Sequence, residues 1–140
     1  MSEKHYDVFL SYSGQDLPWV SEFASALKTD GVKAWFDADI APGDNLQEKL
    51  QEALRESGTL VIVFSRNNLK SPWMFFELGA ALADKKRIIP ILPDDMEITR
   101  VPKALWQLQS LRKNSPQEAG KRVAQVIKQD HDRQKLRHVG

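Results

Sequence analysis

The sequence predicts an α/β domain built on a parallel sheet of about five strands with helices on both faces. Three observations predict it. Short apolar runs alternate with stretches of helical periodicity along the chain. The joins between them are a few residues long, which favours right-handed crossovers between parallel strands. One run, TLVIVF at 59–64, is apolar on both faces, as a central strand covered by helices on each side must be.

In chain order, Tyr6–Ser11 carries Val8, Phe9 and Leu10 in succession and reads as a short buried strand. Polar Ser13, Gly14, Gln15 and Asp16 follow, with Asp16 expected to cap a helix and Pro18 in its first turn. Val20, Phe23, Ala24 and Leu27 supply that helix's apolar stripe, and Gly31 ends it. The segment 32–36 is a second strand, and Pro42-Gly43 marks a loop over 38–45. Leu46, Leu50, Ala53 and Leu54 form the next helical stripe. After the strand at 59–64 comes polar loop at 65–71, then a helix over 72–83. Arg87–Leu92 is a further strand in which Pro90 lacks an amide proton, so an edge position or an early stop is expected. The connection 94–102 is irregular, and 105–111 fits either a short strand or a helix. A last amphipathic helix is expected over 116–129, with 130–140 a polar, fraying tail.

Composition narrows the chemistry. The 140 residues are the size of one domain, 41% hydrophobic and 28% charged, which argues against disorder. The absence of cysteine removes disulfides, thiolate metal sites and cysteine nucleophiles, and suits a reducing compartment. With no apolar stretch like a signal peptide or a membrane span, the expected location is the cytoplasm, with no membrane partner. A formal net charge of +1 gives no reason to expect nucleic acid. His5, His131 and His138 sit in the terminal segments, and no acid or histidine cluster has metal-ligand spacing, so no metal is expected. GxGxxG, GxxxxGK[ST] and GxSxG are all missing.

Glu77 is the anomaly. It is the only ionisable residue in PWMFFELGAALA, and a helix apolar on all sides is buried. A buried carboxylate costs free energy unless paired, hydrogen-bonded or protonated, and such acids often mark sites. The structural alternative puts Glu77 at the helix edge, facing water or an arginine such as Arg66. Trp73 lies one turn earlier on the same face, where it either stacks on a ligand ring or packs in the core. Ligands of open parallel sheets bind beyond the carboxyl ends of the strands. The segments leaving such ends, 11–16, 37–45 and 65–73, would together line one cleft.

These residues resemble the TIR (Toll/interleukin-1 receptor) domain family. YDVFLSYSGQD at 6–16 is similar to its opening box, through Asp7, Phe9, Ser11 and Tyr12. AWFDADIAPGD at 34–44 is similar to the segment containing its BB loop. FSRNNLKSPWMFFELGAAL at 64–82 resembles its SxWxxxEL element, with Ser71, Trp73, Glu77 and Leu78 in place. IIPIL at 88–92 fits the fourth strand, and the likeness spans about residues 4–111, closer to bacterial and plant NAD⁺-cleaving members than to receptor adaptors.

The resemblance implies a flavodoxin-like five-stranded parallel sheet, with the domain over 1–129 and the tail over 130–140. It implies Glu77 as the catalytic acid, with substrate against Ser11, Tyr12, Ser13, Gly14, Asp37, Ala41 and Trp73. Pro42, Gly43 and Asp44 of the BB loop would serve TIR–TIR self-association into an oligomer or filament, and a sensor domain, fused or separate, would be a further partner. Three departures stand out: Ser13 where the axonal enzyme of the family is basic, Ala41 where it is acidic, and Met74 where cysteine is frequent.

One carboxylate suffices for the implied reaction. Nicotinamide in NAD⁺ is cationic and leaves neutral, so no general acid is needed, unlike ordinary glycoside hydrolysis. A fixed carboxylate stabilises the oxocarbenium-like ribose, and no cofactor is required because NAD⁺ is the substrate. Water attack gives ADP-ribose, and attack by an adenine nitrogen gives a cyclic ADP-ribose. The competing expectations are a non-enzymatic TIR signalling module and a nucleoside-transferring enzyme that also uses one glutamate.

Overall fold

A computed structural model describes residues 6–35, 43, 45–66 and 68–139, the side chains at 46, 47, 73 and 133–139 excepted. β1 (Tyr6–Ser11), β2 (Ala34–Trp35), β3 (Ser57–Val63), β4 (Arg87–Leu92) and β5 (Leu111–Arg112) form one parallel sheet in the order β2-β1-β3-β4-β5. The helices are α1 (Leu17–Thr29), α2 (Leu46–Arg55), α3 (Pro72–Ala83) and α4 (Pro116–Val139). This is the flavodoxin-like strand order, whose direction of winding reverses between β1 and β3.

Side-chain alternation along the strands builds two cores. Val8, Leu10, Val61, Val63, Ile89 and Ile91 meet Phe23 and Leu27 of α1 and Val123 and Ile127 of α4. Phe9, Leu60, Ile62, Ile88 and Leu92 meet Ala53 and Leu54 of α2 and Met74, Leu78 and Ala81 of α3. β3 contributes to both, and its Leu60–Val63 stretch is wholly buried, as its doubly apolar sequence requires. Phe9 stacks on Trp35 with centroids 4.9 Å apart, which fixes the edge strand β2 to β1.

Several boundaries depart from the sequence expectation. β2 spans two of the residues predicted for it, and β3 begins at Ser57 and ends at Val63 rather than covering 59–64. Pro90 neither ends β4 nor places it at the edge. Adjacent residues of a parallel strand bond to opposite neighbours. Ile91 accepts from Phe64 beside β3, and Leu92 accepts from Lys113 after β5, so Pro90 faces the β5 side. β5 begins only opposite Ile91, so no partner there awaits the missing proton. Between β4 and β5 the chain makes 3-10 turns at Ile98–Arg100 and Lys103–Leu105, so 105–111 is mostly neither strand nor helix.

The expected end of the last helix at residue 129 is also corrected: α4 continues to Val139. Asp130 accepts two hydrogen bonds from the Arg87 guanidinium, at 2.6 and 2.7 Å, and His131 lies 3.4 Å from Asp7. The hydrogen bond from Arg87 to Asp130 raises the arginine's pKa above its ordinary value, with burial opposing. These contacts tie the helix to the starts of β4 and β1. No helix among the described residues is long and apolar enough to cross a membrane.

Candidate functional site

Glu77 is placed by the start of its helix. Ser71 caps α3, its hydroxyl accepting from the amide of Met74, and Pro72 occupies the first turn, where a missing amide proton costs nothing. From that start, Met74, Glu77, Leu78 and Ala81 form the buried stripe at i, i+3, i+4 and i+7. The carboxylate therefore points at the sheet and is 1% exposed. The edge-facing alternative does not hold, and Arg66 pairs with Asp95 instead, at 3.4 Å. The helix is not apolar-buried all round, however: Phe75, Phe76 and Leu82 lie on its other side and are about half exposed.

The sheet supplies the first partner. β1 directs Phe9 and Ser11 toward the α3 side, and Ser11 is its last residue. Ser11 Oγ donates to Glu77 Oε1 at 3.3 Å, across 66 positions of sequence. The contact fixes the direction of the carboxylate. One residue past β1, Tyr12 turns the opposite way and packs against the core under α1 and α4. The structure therefore separates the Tyr12 ring from the layer that holds Glu77.

Ser13 returns toward the site. The Ser65 hydroxyl, just beyond β3, lies 3.5 Å from the Ser13 hydroxyl, joining the two strand ends that flank the reversal of winding. Asn68 holds the loop after β3 in shape. It is buried, its Nδ2 donates to the carbonyl of Val63, and its Oδ1 accepts from the amide of Ser65 at 2.9 Å. Gly14 is exposed with open space around its Cα, so a ligand can approach the backbone closely there. Ser65, Asn68 and Lys113 are additions that the sequence analysis did not single out. An asparagine five residues past the end of β3, in a polar loop, was the available signal for one of them.

Asp16 does not act as the expected cap. It stands at the N-cap position of α1 without a side-chain bond to the helix amides. Its carboxylate is buried and ion-paired with Lys113, immediately after β5, while Oδ2 has no hydrogen-bond partner among the described residues. The same residue's amide donates to the carbonyl of Ser13, so the pair anchors the 3-10 turn Gly14–Asp16 that carries the mouth of the site. Lys113 also stands 6.0 Å over the Trp19 ring, and Trp19 donates to the carbonyl of Asn114.

Asp37, Ala41, Pro42 and Asp44 lie outside the described residues, as does the Trp73 side chain. Gly43 has φ +90°, a conformation that glycine adopts freely. Among the described residues, no three His, Cys, Asp or Glu side chains converge to hold a metal ion.

Residues 8–127 match the family described as TIR domain. The 2' cyclic ADP-D-ribose synthase AbTIR of Acinetobacter baumannii is 32% identical over 96 residues, which cover 64% of this chain and 36% of that protein. The 3' cyclic ADP-D-ribose synthase AaTIR of Aquimarina amphilecti is 30% identical over 135 residues, covering 89% of this chain and 41% of that one. The chain thus spans well under half the length of these curated relatives. Among solved structures, the TIR domain of the Toll-related receptor TRR-2 from Hydra magnipapillata superposes with a TM-score of 0.66 at 27% identity, covering 92% of this chain and 97% of that one.

Proposed function

Because this chain belongs to the TIR domain family, we propose that it cleaves NAD⁺ at the nicotinamide–ribose bond, releasing nicotinamide and ADP-ribose or a cyclic ADP-ribose. The observation that carries the reading is the Glu77 carboxylate, buried and hydrogen-bonded to Ser11 at the carboxyl ends of β1 and β3, where such sheets bind ligands.

In this mechanism the departing ring needs no proton. Its positive charge passes to the ribose as the bond breaks, and the developing oxocarbenium lies over Glu77. A carboxylate already oriented by Ser11 and shielded from water stabilises that charge without reorganising. Ser13, Ser65 and the open backbone at Gly14 bind the substrate beyond the ribose, while Trp73, Asp37 and Ala41 complete its walls. The relatives named for the 2' and 3' cyclic products match at similar identity, so the product is identified by assay rather than by likeness.

Glu77 at 1% exposure supports a second element of the reading, that the resting chain is closed and turnover follows an opening. Self-association through Pro42, Gly43 and Asp44 would supply it by favouring the competent conformation. The apparent activity of the monomer is then reduced by the fraction that is competent.

The module reading is favoured by one observation, the exposed apolar side of α3 at Phe75, Phe76 and Leu82, which suits docking on another protein. Concentrated protein incubated with NAD⁺ decides between the two. Nicotinamide release, with the second product identified by chromatography, is the expected result. No release at any protein concentration leaves the module.

A further inference from the structure

NAD⁺ carries two phosphates, and their charge needs an answer at the mouth of the site. The first place to look is the N-terminus of α1, whose dipole favours anions. It is already taken. The Asp16 carboxylate occupies that end, and the nearest ammonium, Lys113, is spent on Asp16. Arg112, at the end of β5, is engaged by the carbonyls of Pro93 and Met96, to which its guanidinium donates.

Two other cations lie on the connection from β3 to α3, Arg66 and Lys70. Lys70 stands at its far end, beside the α3 cap. Arg66 stands at its near end, directly after Ser65, whose hydroxyl meets Ser13 across the reversal of winding. Its side chain is 83% exposed, and its partner Asp95, at 3.4 Å, is 75% exposed. A pair so open to water holds its members weakly and can be exchanged. A guanidinium also offers the planar fork that matches phosphate oxygens in bidentate fashion.

We propose that Arg66 binds the diphosphate of the substrate, leaving Asp95 as the dinucleotide enters. The inference rests on the NAD⁺ reading and names the residue that sets affinity for the part of the substrate remote from the broken bond. Asp95 then acts as a competitor that the substrate displaces. The chemistry at Glu77 is untouched, so the arginine acts on binding and not on the bond-breaking step.

The test compares wild type, Arg66→Gln and Asp95→Asn in NAD⁺ kinetics, with calorimetric binding of ADP-ribose as a readout independent of turnover. Both positions are exposed, so the variants fold. Arg66→Gln should raise KM and weaken ADP-ribose about tenfold, the loss of one charge-assisted hydrogen bond, with kcat little changed. Asp95→Asn should tighten both. An unchanged KM and ADP-ribose affinity in Arg66→Gln overturns the proposal, as does a fall in kcat alone. A rise in KM in Asp95→Asn equal to that in Arg66→Gln also overturns it, because the ion pair and not the diphosphate would then need the arginine. If wild type neither cleaves NAD⁺ nor binds ADP-ribose, the functional reading itself falls, and the role of Arg66 with it.

Discussion

Replacing Lys113 with alanine should destabilise the protein far more than its position near the surface suggests. The side chains of Lys113 and Asp16 are 21% and 9% exposed, so the pair is mostly removed from water. Losing the lysine strands a buried carboxylate whose Oδ2 has no hydrogen-bond partner among the described residues. Breaking a buried pair by deleting one member costs about 3–5 kcal/mol, and the residual exposure of Lys113 points to the lower end, about 3 kcal/mol. At roughly 2.1 cal/mol/K per residue, 140 residues have an unfolding entropy of about 0.3 kcal/mol/K, so Tm should fall by about 10 °C. Thermal and urea unfolding measure it. The double variant Asp16→Asn/Lys113→Met removes both charges together and should regain most of the loss. Because Asp16 also anchors the turn bearing Ser13, NAD⁺ turnover by Lys113→Ala should fall at temperatures where the protein is still folded. A loss under about 1 kcal/mol, the size expected of an exposed pair, would refute the reasoning.

Three further outcomes are expected. A Cβ at Gly120 would stand 2.6 Å from Cβ of Ala26 and 3.3 Å from the carbonyl oxygen of Phe23, so Gly120→Ala should cost about 1–3 kcal/mol by urea unfolding, and pairing it with Ala26→Gly should recover part of that. Ser11→Ala removes the hydroxyl that orients Glu77 and should lower kcat about tenfold with KM little changed, measured as nicotinamide release. Specific activity should rise with protein concentration across a dilution series followed in parallel by mass; Gly43→Pro, which cannot take φ +90°, should flatten that rise.

The ends of β1, α3 and β4 were legible because each is a compact apolar run closed by a polar cap, a proline or a charge. The burial of Glu77 was only half legible: the sequence reads as a helix apolar and buried on all sides and leaves an edge-facing Glu77 open, whereas Phe75, Phe76 and Leu82 are exposed and one stripe, Met74, Glu77, Leu78 and Ala81, faces the sheet. The partner of that carboxylate lies on another element, and helical periodicity carries no trace of Ser11. Strand-end placement set 11–16 and 65–73 beside one cleft, and the likeness of the opening box and the SxWxxxEL element named Ser11 and Glu77 within it. Asp16 was misread for the same reason: locally it has the place and chemistry of a cap, but Lys113, a long way along the chain, takes its carboxylate. The run of α4 past Gln129 is met likewise by Arg87 and Asp7, which are remote in sequence and contributed by the starts of β4 and β1. Pro90 misled in the other direction, because a proline excludes a central strand only where a neighbour is present to receive its amide.

The central claim is that the Glu77 carboxylate performs the chemistry, and Glu77→Gln tests it most directly. Glutamine keeps the volume in the buried stripe and can still accept from Ser11, so the fold and Tm should be nearly unchanged. What it removes is the charge that meets the developing cation. Nicotinamide release under conditions where the wild type turns over should fall about a hundredfold to a thousandfold. A folded Glu77→Gln protein that releases nicotinamide at the wild-type rate would contradict the account.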